Sequence, residues 1–335
     1  MTCAKTECPL AIKTGSEAFI LGRLIVNVFL EAQGGGRNRK GGVSSQLAYI
    51  RNFWKSFYIN RHINETFQKE GSGLTFENLT LDKIGKVAKI TLNRPDRLNA
   101  INTALRWDLY NALEDVRKDP NIGAVIITGA PRIKEKEVRY TFSVGWDMSE
   151  ATTGGLKQGP PVDLMEYIEG FEKPVIAMVN GFALGGGNEL AMVCDFIYTS
   201  ENSEFGQPEI ERGFLPGWGG TQRLPRRVGL SQAKRIIFTG DRISAKQAEQ
   251  IGLADVVVPI DKLEETTMEF AKKLASKAPL AIKRIKEVMN KGIDTDLKSG
   301  LKLETEARDF LVTSEDFQEG ITSFFEKRPP KWKGK

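Results

Sequence analysis

Ala88, Ile90 and Leu92 alternate with Lys89 and Thr91, the two-residue period of a strand buried on one face. The period then changes. Leu105, Leu109, Ala112, Leu113 and Val116 recur at helical spacing behind Asn102, a residue suited to cap a helix, and Pro120 follows the run. Ala124–Thr128 and Val175–Val179 are short unbroken apolar runs and read as buried strands, with a charged loop after the first. Further strands are expected near Phe196–Thr199 and Val256–Val258. Ser244 and Gln247 have the spacing of a capping box, and Gly252 follows that helix. From Leu263 onward the chain reads as helical: Leu263, Thr267, Phe270 and Leu274 share one face, and so do Ile282, Ile285 and Met289. The pattern predicts an α/β core followed by a helical tail, with no internal repeat.

The first 73 residues break this pattern. Gly34–Gly42 is a glycine-rich basic run with the composition of a linker, set among apolar patches without a sustained period. A targeting segment, a flexible extension and an over-long start all fit it, and a mostly disordered basic extension is the expectation. The apolar stretch Ala18–Leu30 is interrupted by Arg23 and Asn27 and is too short to span a membrane. The net charge of +5 belongs to this region, which holds ten basic and five acidic side chains; the rest of the chain is neutral. A nucleic-acid footprint on the main body is therefore not expected. Phe53, Trp54, Phe57 and Tyr58 stand among the N-terminal basic residues, so RNA or partner binding there is the alternative of another class.

Composition narrows the chemistry. The 335 residues are 40% hydrophobic and 27% charged, enough to bury a large core. Three cysteines, Cys3, Cys8 and Cys194, make no disulfide framework, and a reducing, cytoplasmic setting is expected, or an organelle if the N-terminus is a targeting segment. The single histidine, His62, leaves proton transfer to carboxylates, Lys, Tyr or backbone groups, and no metal site is expected.

The densest chemical signal runs from Pro174 through Gly185-Gly186-Gly187-Asn188-Glu189 to Leu190: a strand, a glycine turn and a helix burying Leu190, Val193 and Cys194. Free N–H groups at that helix start suit a phosphate cradle or an oxyanion hole, and close strand–helix packing alone would also explain the glycines. The spacing matches neither dinucleotide nor P-loop fingerprints. Glu209, in Phe205-Gly206-Gln207-Pro208-Glu209, offers a second carboxylate; two such groups divide acid and base roles when their environments differ. Phe142–Asp147 is another apolar-to-glycine turn that offers an N–H.

Together these segments resemble the crotonase (enoyl-CoA hydratase/isomerase) superfamily. The matching pieces are Asn93-Arg94-Pro95 with Leu98-Asn99-Ala100, Ser143–Asp147, Asn180-Gly181 through Ala191, Phe205–Glu209, Pro216–Arg223 and Phe324–Arg328, in order across about residues 74–335. The resemblance implies a spiral of ββα units with a helical C-terminal region. It implies a core over residues 74–270 and a trimerising, CoA-capping region over 271–335, in homotrimers or dimers of trimers. It implies an acyl-CoA thioester as substrate and no cofactor or metal, coenzyme A being part of the substrate. The catalytic pair maps to Glu189 and Glu209, and the oxyanion N–H groups map to Trp146 and Gly186. Substrate and CoA contacts map to Arg97, Leu98, Ala100, Val144, Gly145, Asp147, Ser149, Gly185, Pro208, Gly217, Trp218, Phe324 and Lys327. Both glutamates being present implies a short-chain enoyl-CoA hydratase, with an isomerase as the enzyme alternative.

The sequence departs from the family in having Trp146 where a small residue is usual and Ser149 where many relatives are basic. Its Ala130–Tyr140 loop is also longer than usual, and either borders the CoA entrance or is an idle insertion. The tail from Ile282 is most similar to archaeal members that also dehydrate 3-hydroxypropionyl-CoA.

Overall fold

A computed structural model describes residues 75–135, 137–153 and 158–335, so the N-terminal extension lies outside the described residues. In chain order the elements begin with β1 (Leu79–Ile84), β2 (Val87–Leu92), α1 (Thr103–Lys118) and β3 (Ala124–Gly129). Next come β4 (Arg132–Lys134), β5 (Glu137–Arg139), β6 (Thr141–Ser143), α2 (Leu164–Glu169), β7 (Val175–Val179) and β8 (Phe182–Leu184). The chain continues through α3 (Gly186–Met192), β9 (Phe196–Ser200), β10 (Glu204–Gly206), α4 (Gly220–Val228), α5 (Leu230–Thr239), β11 (Ile243–Ser244), α6 (Ala245–Gln250) and β12 (Val256–Val258). It closes with α7 (Ile260–Ala275), α8 (Pro279–Gly292), α9 (Leu297–Val312) and α10 (Glu315–Phe325).

Six strands form the main sheet in the order β1-β2-β3-β7-β9-β12, with β1 antiparallel to β2 and the other pairs parallel. Unbroken apolar runs suit the central strands because both faces are covered. Ala88, Ile90, Val125, Ile127, Val175 and Ala177 join the core formed with Leu105, Leu109, Leu113 and Val116 of α1. The alternate residues Val87, Ala124, Ile126, Ile176, Met178 and Tyr198 pack with Leu263, Ala271 and Ala275 of α7. Asn102 caps α1 by accepting from the Leu105 N–H at 2.8 Å. The Ser244–Gln247 capping box also forms.

A second sheet, β11-β10-β8-β6, is built from two- and three-residue strands, and β6, β8 and β10 run parallel. Their carboxyl ends therefore emerge side by side. The charged loop expected after β3 instead contains the hairpin β4–β5, whose Ile133 and Val138 are exposed. Phe270, where the sequence reading closes the core, lies inside α7; its ring stacks on Tyr198 at 5.1 Å, and buried packing continues to Ala275. The helix predicted after Gly187 is one short element ending at Met192, with Val193 and Cys194 buried just beyond it. The tail is helical as expected, but among the described residues none in α8 or α9 is fully buried, and Ile285 and Met289 are open.

Candidate active site

Three strand ends deliver the candidate residues. After β6 the chain turns through Val144, Gly145 and Trp146, after β8 through Gly185 into α3, and after β10 through Gln207 and Pro208 to Glu209. Crevices at the carboxyl ends of parallel strands are the usual ligand positions in α/β folds.

The first two turns are pressed together. Gly145 has φ of 85°, and a Cβ there would lie 2.5 Å from the Gly186 nitrogen. Gly185 has φ of 54°, its N–H donates to Gly206 O at 3.0 Å, and its carbonyl accepts from the Glu189 N–H. The glycines are thus required by approach as well as by conformation. A Cβ on Gly187 would meet Ser143 O at 2.1 Å, and one on Gly186 would meet the Trp218 ring at 2.6 Å. Among the described residues neither the Gly186 nor the Trp146 N–H has a partner. Gly186 opens α3, where backbone N–H groups have no intrahelical acceptor and the helix field favours negative charge.

Leu98, Ala100 and Ile101 brace the Trp146 turn. Val144 N–H donates to Leu98 O, Ile101 N–H to Gly145 O, and Asp147 N–H to Ile101 O. Arg94 donates to Ala100 O and pairs with Asp147 at 2.9 Å, and Asp147 accepts from Ser149 Oγ at 2.7 Å. Asp147 and Ser149 are therefore part of the turn's internal bonding. Arg94, together with buried Asn99, whose amide bonds Arg94 N, Ala130 O and Thr141 O, are structural supports that the residue pattern did not single out.

Glu189 is buried on α3. Its Oε1 accepts from the Trp218 N–H at 2.7 Å and the Gly220 N–H at 2.6 Å, both at the start of α4. Burial raises its pKa, and these two donors oppose that rise. Glu209 is half-buried on the turn Pro208–Arg212. Burial, with the neighbouring Glu189 charge adding to it, pushes Glu209 up to about 7, against its own backbone N–H and Arg212. A Cβ on Gly185 would lie 3.0 Å from Glu209 Oε1, and one on Gly220 would lie 3.0 Å from Glu189 Oε1. Glu209 thus borders the Gly185 turn and Glu189 the start of α4, close enough for the Glu189 charge to act on Glu209.

Other predicted contacts are dispersed. Arg97 is exposed on the turn Pro95–Arg97, and Gly217 is exposed beside half-buried Trp218. Phe324, 77% exposed, and Lys327, with φ of 55°, lie at the end of α10. Among the described residues no group of three or more His, Cys, Asp or Glu side chains could hold a metal, and no helix is long and apolar enough to cross a membrane.

This arrangement of fold and site has close relatives. The family model for enoyl-CoA hydratase/isomerase matches residues 82–335, and the chain belongs to that family, within the crotonase superfamily. It is 42% identical over 260 residues to short-chain-enoyl-CoA hydratase of Clostridium acetobutylicum, covering 76% of this chain and 97% of that protein. It is 39% identical over 258 residues to crotonyl-CoA hydratase of Syntrophomonas wolfei, covering 76% and 97%. The crystal structure of enoyl-CoA hydratase from Bacillus anthracis superposes with a TM-score of 0.71 at 40% identity, over 77% of this chain and all of that one.

Proposed function

We infer that the chain is an enoyl-CoA hydratase, a hydro-lyase that adds water reversibly to a short-chain 2-enoyl-CoA to give the 3-hydroxyacyl-CoA. The observation that carries this reading is a buried and a half-buried glutamate near two N–H groups that have no partner among the described residues, at the mouths of adjacent strands.

The thioester oxygen accepts from the Trp146 and Gly186 N–H groups. As water adds at C3, charge develops on that oxygen, and each donor in such a hole is worth about 10²–10³ in rate. Glu189, whose carboxylate is already held by two backbone donors, accepts the proton of the attacking water. Glu209 supplies the proton to C2, since a pKa raised to about 7 leaves a large share of it protonated at neutrality, unlike an ordinary carboxyl. Addition from one side, with both carboxyls on the same face of the alkene, gives syn stereochemistry. An isomerase needs only one shuttle carboxyl, and the second carboxyl favours the hydratase.

Crotonyl-CoA is the leading substrate, and dehydration of 3-hydroxypropionyl-CoA is a second use of the same site. The exposed apolar residues of the helical tail support assembly into a homotrimer or a dimer of trimers. Within such an assembly Phe324 and Lys327 would cap CoA from a neighbouring copy. Turnover of purified protein on crotonyl-, acryloyl- and longer enoyl-CoA esters tests the reading. Hydration fastest at three or four carbons supports it, and double-bond migration without hydration refutes it.

A further inference from the structure

Beside the two glutamates lies a pair of amides that the hydration chemistry does not use. Asn188 and Gln207 are both fully buried. With its amide nitrogen toward Glu209, Gln207 donates to the two carboxylate oxygens at 3.0 and 3.1 Å, and its oxygen accepts from Asn188 Nδ2 at 3.3 Å. Asn188 Oδ1 has no partner, and Gln207 is the sole partner of Asn188 Nδ2 among the described residues.

That isolation has a chemical consequence. An ionised carboxylate only accepts hydrogen bonds, so it needs the NH₂ face of Gln207. A protonated Glu209 carries an O–H that must donate, and the Gln207 oxygen is the acceptor within reach. Gln207 then turns its NH₂ toward Asn188, which must answer with Oδ1. Asn188 can make that turn because neither end of its amide has another bond to break. We propose that Asn188 is a positioning residue that keeps Gln207 bonded to Glu209 in both protonation states, so that the proton can reside on Glu209 without leaving a buried amide unpaired. The role assigned to Glu209 in proton transfer gives this pair its use; the hydrogen-bond coupling itself does not depend on it.

An apolar residue at 188 removes the partner in both orientations. The orientation suited to protonated Glu209 then leaves NH₂ donors facing an apolar wall, whereas the other keeps a charge-assisted bond to the carboxylate. The variant should therefore favour ionised Glu209. The other charged groups acting on Glu209 are Glu189 from α3 and Arg212 from its own turn, and both stay in place.

The test uses the full chain with Asn188→Leu and Asn188→Ala, two side chains of different volume. Infrared difference spectroscopy follows the carboxyl band that disappears in Glu209→Gln, and hydration kinetics are recorded across the same pH range. Both variants should lower the Glu209 midpoint by a similar amount, up to about half a pH unit, because a bond is lost in each orientation and only the difference between an unpaired NH₂ and an unpaired carbonyl remains. The descending limb of kcat/KM should move with it while KM changes less than twofold. An unchanged midpoint in the folded variants overturns the proposal, as does a shift that follows side-chain volume instead of loss of the amide. A shifted midpoint with an unmoved rate profile upholds the coupling and removes Glu209 from the chemistry.

Discussion

The small sheet and the helical tail follow opposite rules. Strands β6, β8 and β10 are three residues each, yet the turns they feed place Trp146, Gly186, Glu189 and Glu209 together. Buried Ser143, Asn99 and Gln207 brace those turns by hydrogen bonds within one chain. Helices α8–α10 are long, and Asp296 and Ser314 cap the first turns of α9 and α10. Even so, Met289, Ile293, Leu297, Phe324 and Phe325 remain open, between 67% and 79% exposed. The comparison teaches that regular secondary structure does not mark where a chain is complete. The irregular turns are finished internally, and the regular helices carry an apolar face with no cover among the described residues.

The strongest way to break the comparison is at the carboxyls. Glu189→Gln and Glu209→Gln should each lower hydration kcat by about 10²–10⁴, with little change in affinity for a CoA ester. Near-wild-type turnover of either variant would remove that residue from the mechanism.

Next comes the glycine turn. Gly186→Val drives a side chain into the Trp218 ring, and the Trp218 N–H holds Glu189, so both the oxyanion donor and the base are displaced. A loss of at least about 10²–10³ in kcat/KM is expected in a protein shown to be folded by circular dichroism. Trp146→Ala keeps its backbone N–H and should instead alter preference among C3, C4 and C6 esters. An unchanged chain-length profile would leave the indole as packing alone.

The pH dependence is sharper still in form, though smaller in size. Hydration consumes no net proton, so the equilibrium is independent of pH and kcat/KM must have the same pH profile in both directions. The active dyad holds one proton, on Glu209 for hydration and on Glu189 for dehydration. With Glu209 raised to about 7, that proton is lost as pH rises through this value, and both rates should fall about tenfold per pH unit above it. The apparent midpoints belong to the pair. Flat profiles up to pH 9 would contradict the assignment.

The smallest expected effects on catalysis fall outside the small sheet. Ile293→Asp with Leu297→Asp should leave the fold within about 0.5 kcal/mol if these side chains face water, but should dissociate an assembly seen by analytical ultracentrifugation if they are covered by a second copy. A chain beginning at Leu74 should keep hydration activity, and loss of solubility or turnover would make the extension part of the domain.

Much of this was legible in the residue pattern. The boundaries of β7 and β12 follow from uniform apolar runs, and the caps at Asn102 and Ser244 from side chains whose oxygen can reach an N–H two or three residues on. The two glutamates are visible as motif residues. Their convergence is not, because it depends on three strands pairing across gaps of about forty and twenty residues. Arg94, Asn99, Asn188 and Gln207 stand within the motif segments, but the importance of a side chain that only supports others appears when its partners are known. The hairpin β4–β5 was hidden by its charge, which suits a solvent-facing ribbon as well as a loop.

The brevity of β6, β8 and β10 has a consequence for how this chain can change length. Adding one residue to a strand end advances the following backbone by roughly 3.3 Å and reverses which side the next residue faces. Between Ser143 and Trp146, or between Leu184 and Gly186, no slack absorbs that step, because Gly145 and Gly187 already touch neighbouring backbone. The β4–β5 hairpin, ten residues upstream and open to solvent, can lengthen or shorten without moving either N–H. Insertions and deletions should therefore accumulate in that hairpin and be purged from the three strand ends, and scanning single-codon insertions across residues 130–146 would reveal the border as an abrupt loss of turnover.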